Sequence, residues 1–565
     1  MKQIGKIISV QDNVAVVEFL GQQPAIFDLL HSESNTEIKL EVISSPSRKN
    51  SYYCFILSDK NKVERGENVL NTNSSLQIPV GKEVLGRAID IFGNAHDGKE
   101  FIPKKFKSLH TDTKVNIDDS VAPTEILHTG IRAIDFFTPL LKGSKIGLIG
   151  GAGLGKTILL TELIHNVVMN SDDSDKSVSV FGAVGERTRE AHELLENLNE
   201  SNVLDKTVMV VGQMGENPAI RFRTAYAAAT IAEDFRESGR DVLFFMDNMY
   251  RFSQAGYELS TLMHAVPSED GYQPTLPSEI GTLHEMLGST KDAYITSIEA
   301  IYLPSDDLLD YSVRSAMYYL DSYIVLSRDI YQSGRLPAID LLASNSSAVN
   351  PETIGEKHYE LYLSCKQILE EAQEIEKIVS LVGLSELSIE DQQIYKRAIL
   401  VENYMTQSLT VAEPQTSRKG VYAKIDQTIN DIELILSGKI DSIDPDLLLY
   451  VEKIPSDILN KKNDEIKSEA NDPDNQTQKE VQKQTKKSSL PPMTLSDLEV
   501  EKIKSEKNNA LKAKVEEKPI EEKYKALLFE GAQIQKKHGI QSQKIESNSA
   551  YSPTKMILDE EVKPK

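Results

Sequence analysis

Between Lys145 and Leu160 the chain reads KIGLIGGAGLGKTILL. The apolar run Ile146, Leu148 and Ile149 enters a loop at Gly150, Lys156 and Thr157 close it, and an apolar helical pattern follows from Ile158. This is GxxxxGK[ST] between a strand and a helix, the phosphate-binding loop. Gly150, Gly151, Gly153 and Gly155, with Ala152 and Leu154 between them, let backbone N–H groups turn inward on phosphate oxygens in conformations that a Cβ obstructs. A helix starting near Lys156 adds unpaired N–H donors and the positive end of its dipole. Lys156 brings a point charge for β and γ phosphates, and the Thr157 hydroxyl suits Mg²⁺. A flexible glycine-rich turn would need neither the strand before nor the helix after. The stretch predicts binding of a nucleoside triphosphate.

A phosphate loop alone does not separate a hydrolase from a kinase or a passive nucleotide holder. DVLFFMDN is an apolar strand ending in Asp247, where a carboxylate that holds magnesium through water should sit. A helix cap or a salt bridge is the alternative use of that acid. SVSVFGAVGERTRE is a second strand, and neighbouring parallel strands deliver their C-terminal ends to one crevice. Glu186 at its end could orient and partly deprotonate a water attacking the γ-phosphate, and Arg187 could neutralise charge on the transferring group. A surface ion pair explains Glu186 equally well at this point. Arg251, just past Asp247, is similarly ambiguous.

The elements that must carry these residues are laid out in order along 565 residues. From 1 to 80, IGKIISV, NVAVVEFL, EIKLEVISS and YYCFILS alternate between turn signals and predict a small β-barrel. A connector, 81–145, carries turns at Gly93-Asn94 and Asp97-Gly98 and joins an α/β nucleotide-binding domain extending to 354. Its buried strands are KIGLIG, SVSVFGAV, VMVVGQ, DVLFFMD and AYITSIEAIYL, with helical patterns between, as a mainly parallel sheet requires. Residues 355–460 show apolar positions at three- and four-residue steps and predict a helical domain, with Pro351 and Gly383 at boundaries. Beyond 461 the chain is polar and poor in aromatics, a composition that predicts disorder. Two stretches there are candidate helices, TLSDLEVEKIKSEKNNALKAKVEEK with a cap at Thr494 or Ser496, and KYKALLFEGAQIQ; a docking arm for a further partner is one reading of them, a solvated linker the other.

Composition removes several functions. With 86 acidic against 63 basic residues, a formal net charge of −23 argues against general nucleic-acid binding. Cys54 and Cys365 are far apart and lack metal-ligand spacing, so a disulfide framework or zinc site is not expected and a reducing compartment fits. No apolar run approaches the ~20 residues of a membrane span, and MKQIGKIISVQDN lacks the pattern of a secretory signal. The expectation is a cytoplasmic protein, reaching the inner face of the membrane only through partners.

Longer segments narrow the reading further: ILHTGIRAIDFFTPLLKGSKIGLIGGAGLGKT, FGAVGERTREAHEL, VLFFMDNMYRFSQAGYELSTLM, GYQPTLPSEIGTLHEM, TSIEAIYLPSDDLLD and YIVLSRDIYQSGRLPAIDLLAS. In these the chain resembles the catalytic beta subunit of rotary F-type ATP synthases, from near the N-terminus to about residue 460. GERTRE and GYQPTL are more specific than the phosphate loop and set the chain apart from homohexameric secretion ATPases and termination helicases. The resemblance implies Lys156 on the phosphates, Thr157 on magnesium, Glu186 positioning water, and Asp247 as the metal-side acid. It places Arg187 and Arg251 by the γ-phosphate, Glu190 and Asn248 in the metal and water shell, and Tyr302 near the phosphates. Alpha-type subunits carry glutamine at the Glu186 position and do not hydrolyse. GLSELSIED aligns with the family's acidic lever loop, which makes Ser385, Glu386, Leu387, Ser388, Glu390 and Asp391 contacts for a gamma-like central shaft. An arginine finger is expected from an alpha-type neighbour in an alternating hexamer.

The departures are specific. The family's three adenine-sandwiching aromatics are replaced by Leu336, Leu409 and Gln415, which predicts weaker or less adenine-selective binding. Glu269 and Asp270 add acid to a loop that brushes the shaft. With the long tail and the absence of tryptophan, these changes resemble the divergent F-type-like ATPases that mycoplasmas carry beside their ordinary synthase. A ring member that holds nucleotide without turnover, and a homohexameric protein-export ATPase, are the rival readings.

Overall fold

The computed structural model describes residues 3–45, 50–110, 117–170, 177–201, 203–268 and 270–454. The tail from 461 with its expected helices, and Glu269, lie outside the described residues.

Strands β1 (Ile4–Gln11), β2 (Val14–Phe19), β3 (Asp28–Ser32), β4 (Lys39–Ser44), β5 (Ser51–Ile56) and β6 (Asn68–Ser75) close a barrel in the order β1-β2-β5-β4-β3-β6. Alternation builds it: Ala15, Val17 and Phe19 of β2 and Leu40 and Val42 of β4 point into a core shared with Ile7, Leu30, Cys54 and Ile56. β3 and β6 complete the closure although they lack the alternating pattern of the other four. Glu41 of β4 is fully buried at the barrel's edge, paired with Arg223 at 2.6 Å and His110 at 3.0 Å, and the His110 ring stacks on Phe27 at 3.8 Å.

The central sheet has eight strands: β7 (Ala88–Ile89), β8 (Lys145–Gly150), β9 (Val178–Glu186), β10 (Thr207–Gln213), β11 (Val242–Asp247), β12 (Ile295–Tyr302), β13 (Ser322–Leu326) and β14 (Ile339–Ser346). Their order is β14-β13-β8-β12-β11-β9-β10-β7, parallel except for β13 against β14. Successive side chains enter opposite apolar layers: Phe181 and Ala183 one, Val180 and Val184 the other; Phe245 one, Phe244 and Met246 the other. Both faces are covered, which is why these strands read as continuous apolar runs. Among the described helices, α1 (Lys156–Asn170), α2 (Thr188–Glu200), α3 (Pro218–Glu237) and α4 (Met249–Leu262) cover the sheet or follow its strand ends. β7 places an edge strand inside the segment read as a connector.

The C-terminal part is helical: α5 (Glu356–Val382), α6 (Ile389–Tyr404) and α7 (Ile425–Leu436). Gly383 ends α5 at φ 88°, where a left-handed backbone favours glycine. Arg132, fully buried, locks this part to the nucleotide domain: it lies 4.0 Å over the Tyr404 ring and donates to the carbonyls of Val451 at 3.0 Å and Glu452 at 2.8 Å. Beside it the Gln407 amide accepts from Arg132 N at 2.8 Å and donates to Gly130 O at 2.8 Å. No helix among the described residues is long and apolar enough to cross a membrane.

Candidate functional site

Because the parallel strands run the same way, Gly150, Glu186, Asp247 and Tyr302 finish β8, β9, β11 and β12 along one edge of the sheet. Glycines 153 and 155 take positive φ, 77° and 86°, at the turn into α1. Lys156 opens α1 and folds back, its ammonium donating to Gly150 O at 2.7 Å and Gly151 O at 2.5 Å. Burial lowers the Lys156 pKa to about 8 against the raising influence of Asp247, Asp306 and Glu186. Thr157 and Ile158 stand exposed on the first turn, while Leu154 is buried beneath the loop.

Asp247 is 8 % exposed, and burial pushes its carboxyl up to about 6, with Lys156 and Arg251 pulling it down and Glu190 pushing it up. Glu186 is pushed up to about 9 by burial, a hydrogen bond with Glu190 and the charge of Asp247. Its partner Glu190, one turn into α2, is held below the usual carboxylate range first by that hydrogen bond and then by Arg187. Asn248 caps α4, its Oδ1 accepting from Tyr250 N at 2.9 Å and from Tyr302 N at 3.3 Å. The Tyr302 ring lies 5.7 Å from the Lys156 ammonium. Lys156, Glu186, Glu190, Asp247, Arg251 and Tyr302 are thus brought together. Arg187 is placed differently: its side chain is 64 % exposed and pairs with Glu190 at 3.2 Å.

Two groups at the loop went unread in the sequence. Asp306 and Arg328 pair at 2.9 Å above it, Arg328 also reaching Ala152 O at 3.4 Å, so a Cβ on Gly151 would run into Asp306 and come within 2.8 Å of Arg328. Both follow strand ends, β12 and β13, a position that could have flagged them.

The loop is also a wall of an apolar cavity of about 230 Å³, where Gly153, Leu154, Gly155 and Ile158 meet Leu336, Leu409 and Gln415. The three positions that replace the expected aromatics therefore do converge. The lever-loop residues stand apart, at the tip of the α5–α6 hairpin. Ser385, Glu386, Ser388 and Glu390 are exposed, and Leu387 and Asp391 half-buried. The Ser388 hydroxyl caps α6, accepting from Asp391 N at 3.1 Å.

The donors near the loop suit a hard divalent cation: the Thr157 hydroxyl and the Asp247 and Glu190 carboxylates are all oxygen, and the crowded acids there carry charge that a cation would relieve. Among the described residues no three His, Cys, Asp or Glu side chains form a cage, so such an ion would draw other ligands from phosphate and water.

Comparison with protein families agrees with this geometry. Residues 130–346 match the nucleotide-binding domain of the ATP synthase alpha/beta family, and residues 347–429 match the C-terminal domain of V and A type ATP synthases. The first match contains the phosphate loop, Glu186, Asp247, Tyr302 and Leu336; the second contains the hairpin tip, Leu409 and Gln415.

Proposed function

We propose that this chain, which carries an ATP synthase alpha/beta nucleotide-binding domain, is the ATP-hydrolysing, beta-type subunit of an alternating hexameric rotary ATPase. The observation that carries the proposal is a half-buried glutamate at a strand end, Glu186, beside the phosphate-loop lysine and the strand-end Asp247. The segments GERTRE and GYQPTL support the F-type beta assignment, while the C-terminal match is to the V and A type.

In this mechanism the backbone N–H groups of the loop cradle the phosphates, and Lys156 leaves the Gly150 and Gly151 carbonyls for them. Thr157, Asp247 and Glu190 oxygens would hold Mg²⁺, partly through water, and the ion would supply positive charge against the phosphates. Glu186 would hold the attacking water and take its proton, a role that needs the carboxylate form and therefore added positive charge at the neighbouring acids to bring its pKa down from about 9. Arg251, close enough to lower the Asp247 pKa, adds positive charge to the phosphate end. An alpha-type neighbour supplies the arginine finger, and opening and closing of the helical domain turns a gamma-like shaft held at the hairpin tip. The complex would lie at the inner face of the membrane without this chain spanning it.

The test is Glu186→Gln in the assembled complex. Hydrolysis should fall by about 10²-fold or more while nucleotide still binds. An unchanged rate would establish instead a ring member that holds nucleotide passively, the reading that Leu336, Leu409 and Gln415 favour. Isolation as a homohexamer without an alpha-type partner would point to an export ATPase.

A further inference from the structure

The cavity next to the phosphate loop is lined by more than the three substituted positions. Tyr450, with Arg418 beside it, also lines it. Tyr450 is fixed at three points. Its backbone N donates to Thr406 Oγ1 at 2.7 Å, its hydroxyl donates to Gly334 O at 2.5 Å, and the Arg418 guanidinium lies over its ring at 4.0 Å. A planar cation layered on a pinned aromatic ring makes a rigid flat surface in a cavity that also touches Gly153 and Gly155. Bases stack on aromatic side chains and on arginine planes without regard to which base they are, because every base has a π face.

We propose that Tyr450 and Arg418 form the wall against which the purine base of the bound triphosphate stacks, replacing the aromatics missing at Leu336, Leu409 and Gln415, and that this wall admits guanine alongside adenine. The inference rests on the nucleotide-binding reading of the phosphate loop. Gln415, on the same cavity, has an amide with both a donor and an acceptor and can meet either purine edge. Arg418 is exposed, so replacing it leaves the fold intact.

The experiment measures KM for ATP and for GTP, and inhibition by tripolyphosphate as a base-free probe, on the purified ring complex. Wild type should show ATP and GTP KM values within about threefold of each other. Tyr450→Leu should raise both about tenfold, Tyr450→Phe should keep both near wild type, and Arg418→Ala should raise both roughly threefold, with tripolyphosphate inhibition the same in all. Wild-type KM values in Tyr450→Leu and Arg418→Ala, or tripolyphosphate inhibition weakening in step with KM, would overturn the wall. Rejection of GTP by tenfold or more would overturn its purine tolerance. A complex that binds neither tripolyphosphate nor nucleotide would instead remove the nucleotide-binding reading beneath it.

Discussion

The ammonium of Lys156 and the carboxylate of Asp247 are each other's strongest attractive partner within the phosphate site, although β12 separates the strands they extend from. Burial works against both charges, bringing Lys156 down to about 8 and Asp247 up to about 6. At neutral pH both stay ionised, and an arriving triphosphate takes over as the counter-charge of the lysine. Anionic phosphate raises the lysine pKa in the bound state, so binding favours the protonated form. Triphosphate affinity in metal-free buffer should then be level below pH 8 and fall above it, by up to tenfold per pH unit. Calorimetric titration with ATP and a chelator from pH 6.5 to 9.5 checks this; a flat profile through pH 8 would contradict it.

Asp247 carries a cost to the fold that its proposed place beside the metal would retain. Its folded-state pKa lies above the usual 3.8, so the folded chain binds this proton more tightly than the unfolded one. Stability contributed by this group therefore declines as pH rises from about 4 to 6, and the full penalty applies above 6. Asp247→Asn removes the ionised carboxylate but leaves Lys156 without its partner. The net expectation is a gain of about 1 kcal/mol at pH 7.5 in metal-free buffer, together with loss of hydrolysis. Urea denaturation of the variant measures it, and a lower midpoint would show that the lysine's loss dominates.

The pin between barrel and nucleotide domain should be more fragile than either surface suggests. Glu41 keeps its charge at full burial because Arg223 and His110 hold its carboxyl below the usual range. Arg223→Ala leaves that buried charge with only the His110 ring beside it and should cost about 3–5 kcal/mol, whereas adding Glu41→Gln should recover much of the loss. Thermal unfolding of the two variants and wild type makes the comparison; equal losses in the single and double variants would mean that Arg223 acts through packing alone. His110, its pKa lowered mainly by burial, adds a pH dependence of known sign. The unfolded chain takes up its proton first, so stability falls as pH drops below about 6.5.

The fold class was legible because its main signals are local. The strand–loop–helix at Lys156 and the buried run before Asp247 each sit within a few residues, and the barrel, parallel sheet and helical part all follow from periodicity. What escaped notice depended on partners distant in sequence. β6 reads NVLNTNSS, with polar residues on most positions, and only closure of the barrel makes it a strand. β13 and β14 carry weak signals as well, one because SYIVL is short and the other because IDLLASNS ends in polar residues and only Ile339 of its apolar side chains is buried. In the site, positions named by motif came together, but Arg187 turned outward to Glu190, and Asp306, Arg328, Arg418 and Tyr450 carry no motif. Tyr450 in particular reaches the cavity from a segment that pairs with Thr406 and Gly334, contacts that no spacing rule announces.

The hairpin tip carries a further expectation, resting on its proposed role as shaft contact. Leu381, Leu384 and Ile389 are 84 %, 46 % and 76 % exposed there, flanked by Glu386 and Glu390. Apolar side chains in water contribute little to the chain's own stability, and their worth appears only when a partner covers them, at about 25 cal/mol per Å². Replacing all three by serine should leave the unfolding midpoint of the chain almost unchanged, within about 0.5 kcal/mol. Retention of the shaft subunit through gel filtration of the complex should fall in the same variant, because the acidic residues that remain hold a basic partner only through screened charge. Retained shaft at both low and high salt would place the contact elsewhere on the helical domain, whereas loss confined to high salt would assign the grip to Glu386, Glu390 and Asp391 together with the leucines.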